Sequence, residues 1–264
     1  MAPTDDKEDK KHQREEDAAE PVAKMAKTDE SKTIDLRKAE NPDWKEWKFD
    51  DGTVEKIVDI TEEPRHNLDF TNQYGRAFTI KFPAKDTTLA HSHFVDTIII
   101  LLMKGGIRFI NHVMGDDPKE GCMCFKQLGF APFTFHPCVH KITNLSEEEM
   151  FCINVEVLKS TPIKKEKALD APHHSVEMTK DNCRVYKLKL EKGESVTVSY
   201  DFFYTRVVLE AGKIEMSYKT SSGGSIKWEE TTTMGDIGWN EPCADLSIKN
   251  TGDSVYEAYI CEWR

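Results

Sequence analysis

The order of apolar and polar positions changes character twice along the chain. From Met1 to about Ser31 the sequence is dominated by Asp, Glu, Lys, Ala and Gln and carries no aromatic residue. Such a stretch cannot bury enough surface to offset the entropy of ordering, so residues 1–40 are expected to be a disordered charged tail. At Asn41-Pro42-Asp43-Trp44 the composition shifts. Asn before Pro is a helix-start signal, and with Trp44 and Trp47 to pack it predicts a short helix or turn leading into the folded body.

From there a period of two takes over. Residues 76–82 alternate polar and apolar, 97–103 are an almost continuous apolar run, and 107–113 alternate again. Gly105-Gly106 between the last two predicts a hairpin. Gly115-Asp116-Asp117-Pro118 is turn chemistry, and 123–127 read as a short strand. Two more strands are expected at 139–143 and 151–158, joined by the acidic turn Glu147-Glu148-Glu149. Short strands at close spacing with almost no helix predict an all-β fold, a sandwich or a barrel. Residues 161–181 are polar, contain Pro162 and Pro172, and read as a linker. The strand rhythm resumes at 185–190, turns at Glu191-Lys192-Gly193-Glu194, and runs to the terminus. The expected organisation is therefore a tail at 1–40, a β unit at 41–160, a linker at 161–181 and a second β unit at 182–264.

The second unit echoes the first. Pro137-Cys138-Val139-His140 is answered by Pro242-Cys243-Ala244-Asp245, Asn144 by Asn250, and Leu101-Leu102-Met103-Lys104-Gly105 by Val208-Leu209-Glu210-Ala211-Gly212. On this alignment Asp245 takes the place of His140, and Ser199, Tyr200 and Asp201 occupy the region of the first unit's histidine pair.

Composition narrows the partners. A formal net charge of −11 argues against nucleic acid or an anionic membrane, both of which need a basic surface. No apolar segment resembles a signal peptide or a membrane span, and the seven cysteines lack the even framework of a small secreted domain. These features predict a soluble, cytoplasmic protein with reduced thiols that takes a small-molecule substrate or ligand, with a homodimer as a candidate assembly. Cys122-Met123-Cys124 has no second pair to complete a zinc site and is read as strand packing.

The chemistry concentrates between His91 and Asn144. His91 and His93, one residue apart on a strand, share a face because side chains alternate across the pleat. That face is a candidate metal site, and His140, two residues after Cys138, can join it. His136 competes with His140 by parity, but it precedes Pro137 and suits a pocket role better. Arg76 and Arg108 are candidate anchors for a substrate carboxylate, and Tyr74 a candidate pocket acid or base. Phe130, Phe133 and Phe135, with Ile98, Ile100 and Leu102, read as core and interface.

The order His91-x-His93, an apolar strand and Gly105 or Gly106, then Gly129, Pro137, His140 and Asn144, resembles the two signature motifs of the cupin superfamily. The resemblance covers most of residues 69–158 and, through the internal echo, extends more faintly to Arg264. It implies two tandem antiparallel β-barrels of the double-stranded β-helix type, an intact one followed by a degenerate one. It further implies one divalent metal held by His91, His93 and His140, with iron favoured and zinc, manganese, nickel or copper as alternatives. Two departures stand out. Ala84-Lys85 lies where the first motif opens with glycine, and Thr97 lies where the family has a glutamate ligand. Asp96, one residue earlier, faces away on a regular strand unless a bulge intervenes. With Thr97, Asp96, His136, Cys138, Asn144, Arg76 and Tyr74 as candidates to line the pocket or to support the ligands from behind, the resemblance points to a metal-dependent enzyme, foremost a dioxygenase with a three-histidine site. The alternatives are a non-catalytic metal- or ligand-binding cupin, or a zinc or manganese lyase or isomerase.

Overall fold

Alternating and continuous apolar runs do become strands, arranged as two copies of one topology. The structure, a computed structural model, describes residues 43–220 and 223–264. The expected tail at 1–40 and the Asn41-Pro42 signal lie outside the described residues. In place of the expected helix or turn around Trp44 and Trp47, β1 (Glu46–Lys48) and β2 (Val54–Lys56) form a hairpin. Trp47 is drawn into strand pairing because its ring packs with Ile57, Ala90 and Val139 on the outer side of the first unit.

The first unit continues with β3 (Val58–Asp59), β4 (His66–Thr71), β5 (Gly75–Phe82), β6 (His91–His93), β7 (Thr97–Leu101), β8 (Ile107–Val113), β9 (Lys119–Met123), β10 (Leu128–Ala131), β11 (Cys138–Asn144) and β12 (Met150–Val157). One sheet runs β10-β7-β12-β5-β4 and the other β3-β6-β11-β8-β9. Phe78, Ile80, Phe82, Leu101 and Cys152 from the first sheet meet Ile107, Phe109 and Ile142 from the second, so the two sheets face each other across a shared core.

The second unit comprises β13 (His174–Thr179), β14 (Cys183–Leu190), β15 (Ser195–Tyr200), β16 (Tyr204–Glu210), β17 (Lys213–Lys219), β18 (Ser225–Thr231), β19 (Ile237–Asn240), β20 (Cys243–Asn250) and β21 (Tyr256–Trp263). Its sheets run β13-β14-β21-β16-β19 and β15-β20-β17-β18. Strand for strand, this repeats β4-β5-β12-β7-β10 and β6-β11-β8-β9. The segment read as a linker thus contains β13, the outer strand of the second unit. The sheets β10-β7-β12-β5-β4 and β13-β14-β21-β16-β19 pack against one another through Ile98, Ile100, Leu102 and Val155 on one side and Val185, Val207, Leu209 and Cys261 on the other.

Three local readings are corrected. Gly105-Gly106 does not close a hairpin: β7 and β8 lie in different sheets, and Gly106, at φ 70, turns the chain between them. Residues 124–127 are a turn between β9 and β10, with Lys126 at φ 62, where the apolar spacing suggested a strand. Asp245 does not stand in the place of His140. Two residues, Ala244 and Asp245, oppose Ser199 in a bulge between the pairs Val198↔Leu246 and Tyr200↔Cys243, and Asp245 takes φ 49. Since His91 pairs with His140 and His93 with Cys138, the residues in the histidine places of the second unit are Val198, Leu246 and Tyr200. The absent motif glycine has a simple substitute, because Lys85 itself adopts φ 63.

Candidate metal centre

The first unit's facing sheets bring four imidazoles together. β6 carries His91 and His93 on one face, and β11 sets His140 directly opposite His91. His140 Nε2 lies 3.1 Å from His91 Nε2 and 3.1 Å from His93 Nε2. From the opposite sheet, His66 at the start of β4 brings its ring to 4.8 Å from that of His91. One ligand atom from each of His66, His91 and His93 falls within 4.8 Å of the others, a buried group able to hold a metal ion.

The outer ring nitrogens explain why the inner ones converge. His91 Nδ1 donates to the Leu89 carbonyl at 2.8 Å, His140 Nδ1 to Asn111 Oδ1 at 3.0 Å, and His66 Nδ1 to Glu63 Oε2 at 2.8 Å. Carbonyl and carboxylate oxygens only accept, so each of these Nδ1 atoms carries a proton, and the neutral His91 and His140 rings turn an unprotonated Nε2 inward. Lone pairs at 3.1 Å repel unless a cation lies between them. Metal–nitrogen bonds of about 2.0–2.1 Å place neighbouring nitrogens about 2.9–3.4 Å apart on one divalent ion. The donors present therefore fit a divalent metal, and the site is a histidine metal-binding site whose ion the structure does not specify.

Protonation agrees with this. Burial first, and the neighbouring His66 next, push His91 down to about 4. Burial and the adjacent imidazoles hold His93 and His140 well below the ordinary histidine value. At neutral pH these rings are unprotonated, the form in which imidazole binds metal. Burial works to raise Glu63, but the hydrogen bonds from His66 and from the Arg65 and Leu89 backbone bring it down to about 2, so it remains a carboxylate beneath His66.

The wall around the histidines departs from the sequence expectation. Between His93 and Thr97 the chain leaves one sheet for the other, so the parity argument across residues 91–97 does not hold. Thr97 is buried, donates its hydroxyl to the Val95 carbonyl at 2.9 Å, and pairs across the sheet with Glu156. Asp96 does not approach the histidines. Its Oδ1 accepts the Thr134 backbone N–H at 2.9 Å and its Oδ2 accepts Asn182 Nδ2 at 2.7 Å. Asp96 thereby fastens the turn that lays Phe133 over His93, ring centroids 4.6 Å apart and nearly parallel. Glu156 is fully buried and ion-paired with Arg76 Nε. Its Oε1 lacks a hydrogen bond and lies 3.9 Å from His93 Nδ1, which also lacks one.

Other candidates fall elsewhere. His136 is exposed in the turn before β11. Asn144 is buried, but its amide donates to the carbonyls of Pro83 and Glu148 and accepts from the Ser146 N–H, closing a turn. Tyr74 stacks on Trp239 and lies tilted against Phe203 at the contact between the units. Cys138 is opposite His93 in register, and burial pushes its thiol up to about 12, which keeps it a neutral packing group. Arg108 pairs with Glu120 on the surface. Cys122 and Cys124 are exposed rather than packed, and all seven cysteines are free thiols. Sequence reasoning missed His66, Glu63, Asn111 and Glu156. Only Glu156 left a signal, as a lone charge inside the apolar run of β12.

No family model matches the chain, and no curated protein matches its sequence. Solved structures do match. Oxalate decarboxylase from Bacillus subtilis at pH 4.6 superposes with a TM-score of 0.51 at 11% identity, over 72% of this chain and 68% of that one. Two variants of the Bacillus subtilis enzyme give 0.53 at 10% identity, over 73% and 69%, and 0.52 at 12% identity, over 84% and 75%. At such identities the likeness concerns the fold alone, a bicupin-like arrangement of two β units in tandem. Among the described residues no helix is long and apolar enough to cross a membrane.

Proposed function

We propose that this chain is a metal-dependent enzyme of the cupin type, in which His91, His93 and His140 hold one divalent ion and a small polar substrate is transformed beside it. The observation that carries this reading is the approach of His140 Nε2 to within 3.1 Å of both His91 Nε2 and His93 Nε2 while the Nδ1 atoms of His91 and His140 are engaged outward. A bound ion supplies Lewis-acid polarisation of a substrate oxygen. The chain's own groups supply the rest. Phe133 covers His93 and excludes water from that side. Arg76 spends its Nε on Glu156 and has its Nη donors free for a substrate carboxylate. Glu156 Oε1, buried and without a partner, is placed to accept or return a proton. A carboxylate and a guanidinium beside the ion favour lyase or isomerase chemistry on a small carboxylic acid, with manganese or zinc as the ion. The dioxygenase reading rests on a different observation, the absence of a carboxylate at Thr97, which leaves an all-imidazole ligand set.

Elemental analysis of the purified chain beside a His91→Ala, His140→Ala double variant tests the proposal. Stoichiometric metal in the wild type that disappears in the variant is the expected result. A wild type that contains no metal and takes up none on reconstitution overturns it. Manganese or zinc without oxygen consumption supports the lyase or isomerase reading, whereas iron with oxygen uptake supports the dioxygenase.

A further inference from the structure

The sequence motif leaves the ligand set one group short, because the place of the expected glutamate holds Thr97. Neither nearby side chain fills the gap: Thr97 is bonded to Val95, and Asp96 is committed to Thr134 and Asn182. We propose that His66, from outside both motifs, is a fourth imidazole ligand of the ion held by His91, His93 and His140. The inference rests on the metal centre proposed above and completes its ligand set.

Three observations carry it. His66 comes from the same sheet as Thr97, is buried, and brings a ligand atom within 4.8 Å of those of His91 and His93. Its orientation is fixed from behind. Nδ1–H donates to Glu63 Oε2 at 2.8 Å, while Glu63 accepts the backbone N–H groups of Arg65 at 2.8 Å and Leu89 at 3.2 Å. The carbonyl of that same Leu89 receives His91 Nδ1–H, so one short network aims two of the rings. A carboxylate behind an imidazole is the arrangement that orients a metal-ligating histidine and raises its basicity.

The third observation comes from the repeat. Arg76 pairs with Glu156 and Arg184 with Glu262, while His66 pairs with Ile80 and His174 with Leu188. His174 is therefore the counterpart of His66, as Tyr200 is of His93. In the second unit His174 Nε2 reaches Tyr200 Oη directly, at 2.7 Å. A histidine at the start of this outer strand spans the interior to the group in the His93 place. In the second unit it meets a hydroxyl, and in the first it meets the ion bound by His93.

Cobalt(II) serves as the probe, loaded into the full chain and examined by X-ray absorption and by competitive titration against a chelator. The expected result is one cobalt per wild-type chain with four imidazoles. His66→Gln should then show three imidazoles and at least about tenfold weaker binding. His174→Gln, its counterpart in the second unit, should keep four imidazoles and unchanged affinity. Three imidazoles in the wild type, or His66→Gln binding as tightly as wild type, overturns the fourth ligand while leaving the metal centre standing. A wild type that binds no cobalt overturns the metal centre itself, and this inference with it. If His66→Gln does not fold, the wild-type imidazole count decides.

Discussion

His91, His93 and His140, with ring centroids 4.6 to 5.0 Å apart, can share one wall only while they stay neutral. A proton on any of them places a charge out of reach of water and beside other rings. The consequence is a defined acid sensitivity. His91 has its folded pKa near 4, below the ordinary 6.5, so the unfolded chain takes the proton first. Its contribution is intact above about pH 6.5 and is lost as pH falls toward about 4, amounting to about 3 kcal/mol. Glu63 acts in a lower window. With its folded pKa near 2 against 4.5, its contribution holds above about pH 4.5 and fades toward pH 2. Urea unfolding of the metal-free chain from pH 7.5 to 2 should therefore show stability falling first between about pH 6.5 and 4, then again below. A flat profile down to pH 4 would contradict the buried neutral cluster.

Elements, rather than single groups, explain why part of the motif carries no chemistry. Asn144 ends β11 and Asn250 ends β20, and each makes the same three bonds. The Asn250 amide donates to the carbonyls of Leu190 and Ser254 and accepts the Gly252 N–H, as Asn144 does with Pro83, Glu148 and Ser146. The asparagine is common to both units because it ties a strand end to two turns, whether or not histidines are present. Replacing it leaves buried carbonyls unpaired, so Asn144→Ala and Asn250→Ala should each cost about 2–4 kcal/mol in chemical denaturation. Metal stoichiometry should be unchanged in both, which a ligand or a pocket group would not allow. The same argument applies to the buried Arg–Glu pair. Arg184–Glu262 repeats Arg76–Glu156, so the pair belongs to the fold, and only in the first unit does its free oxygen face an imidazole.

At the scale of the molecule the two units are bound by more than apolar contact. Trp263 Nε1 donates to the Tyr74 carbonyl at 2.9 Å, and its ring lies so close to Gly75 that a Cβ there would meet Trp263 Cζ2 at 2.6 Å. Lys126 of the first unit pairs with Glu210 at 2.8 Å and Glu257 at 2.5 Å, and Asn182 holds Asp96 beneath the Phe133 turn. The second unit, which lacks the site, thus supports the cover of the first. Calorimetry should show one cooperative transition for the pair. A chain cut after Leu158 should fail to reach a soluble native state, because it exposes Ile98, Ile100, Leu102 and Val155 together. Two separate transitions, or a stable isolated first unit, would refute that dependence.

The sequence by itself pointed to most of the strands, to the duplication and to His91, His93 and His140 as neighbours, because period-two patterning and motif spacing are local and survive in the linear chain. It misplaced what depends on which sheet a strand enters. Gly105-Gly106 has the composition of a hairpin turn whether its strands pair or part, and a bulge such as that at Asp245 shifts every later correspondence by one residue. Only the tertiary structure decided that Asp96 serves the Phe133 turn, that Asn144 closes a strand end, and that His66, Glu63 and Glu156 join the histidines. Those last three come from other strands and an adjoining turn, and proximity across facing sheets leaves no period in sequence.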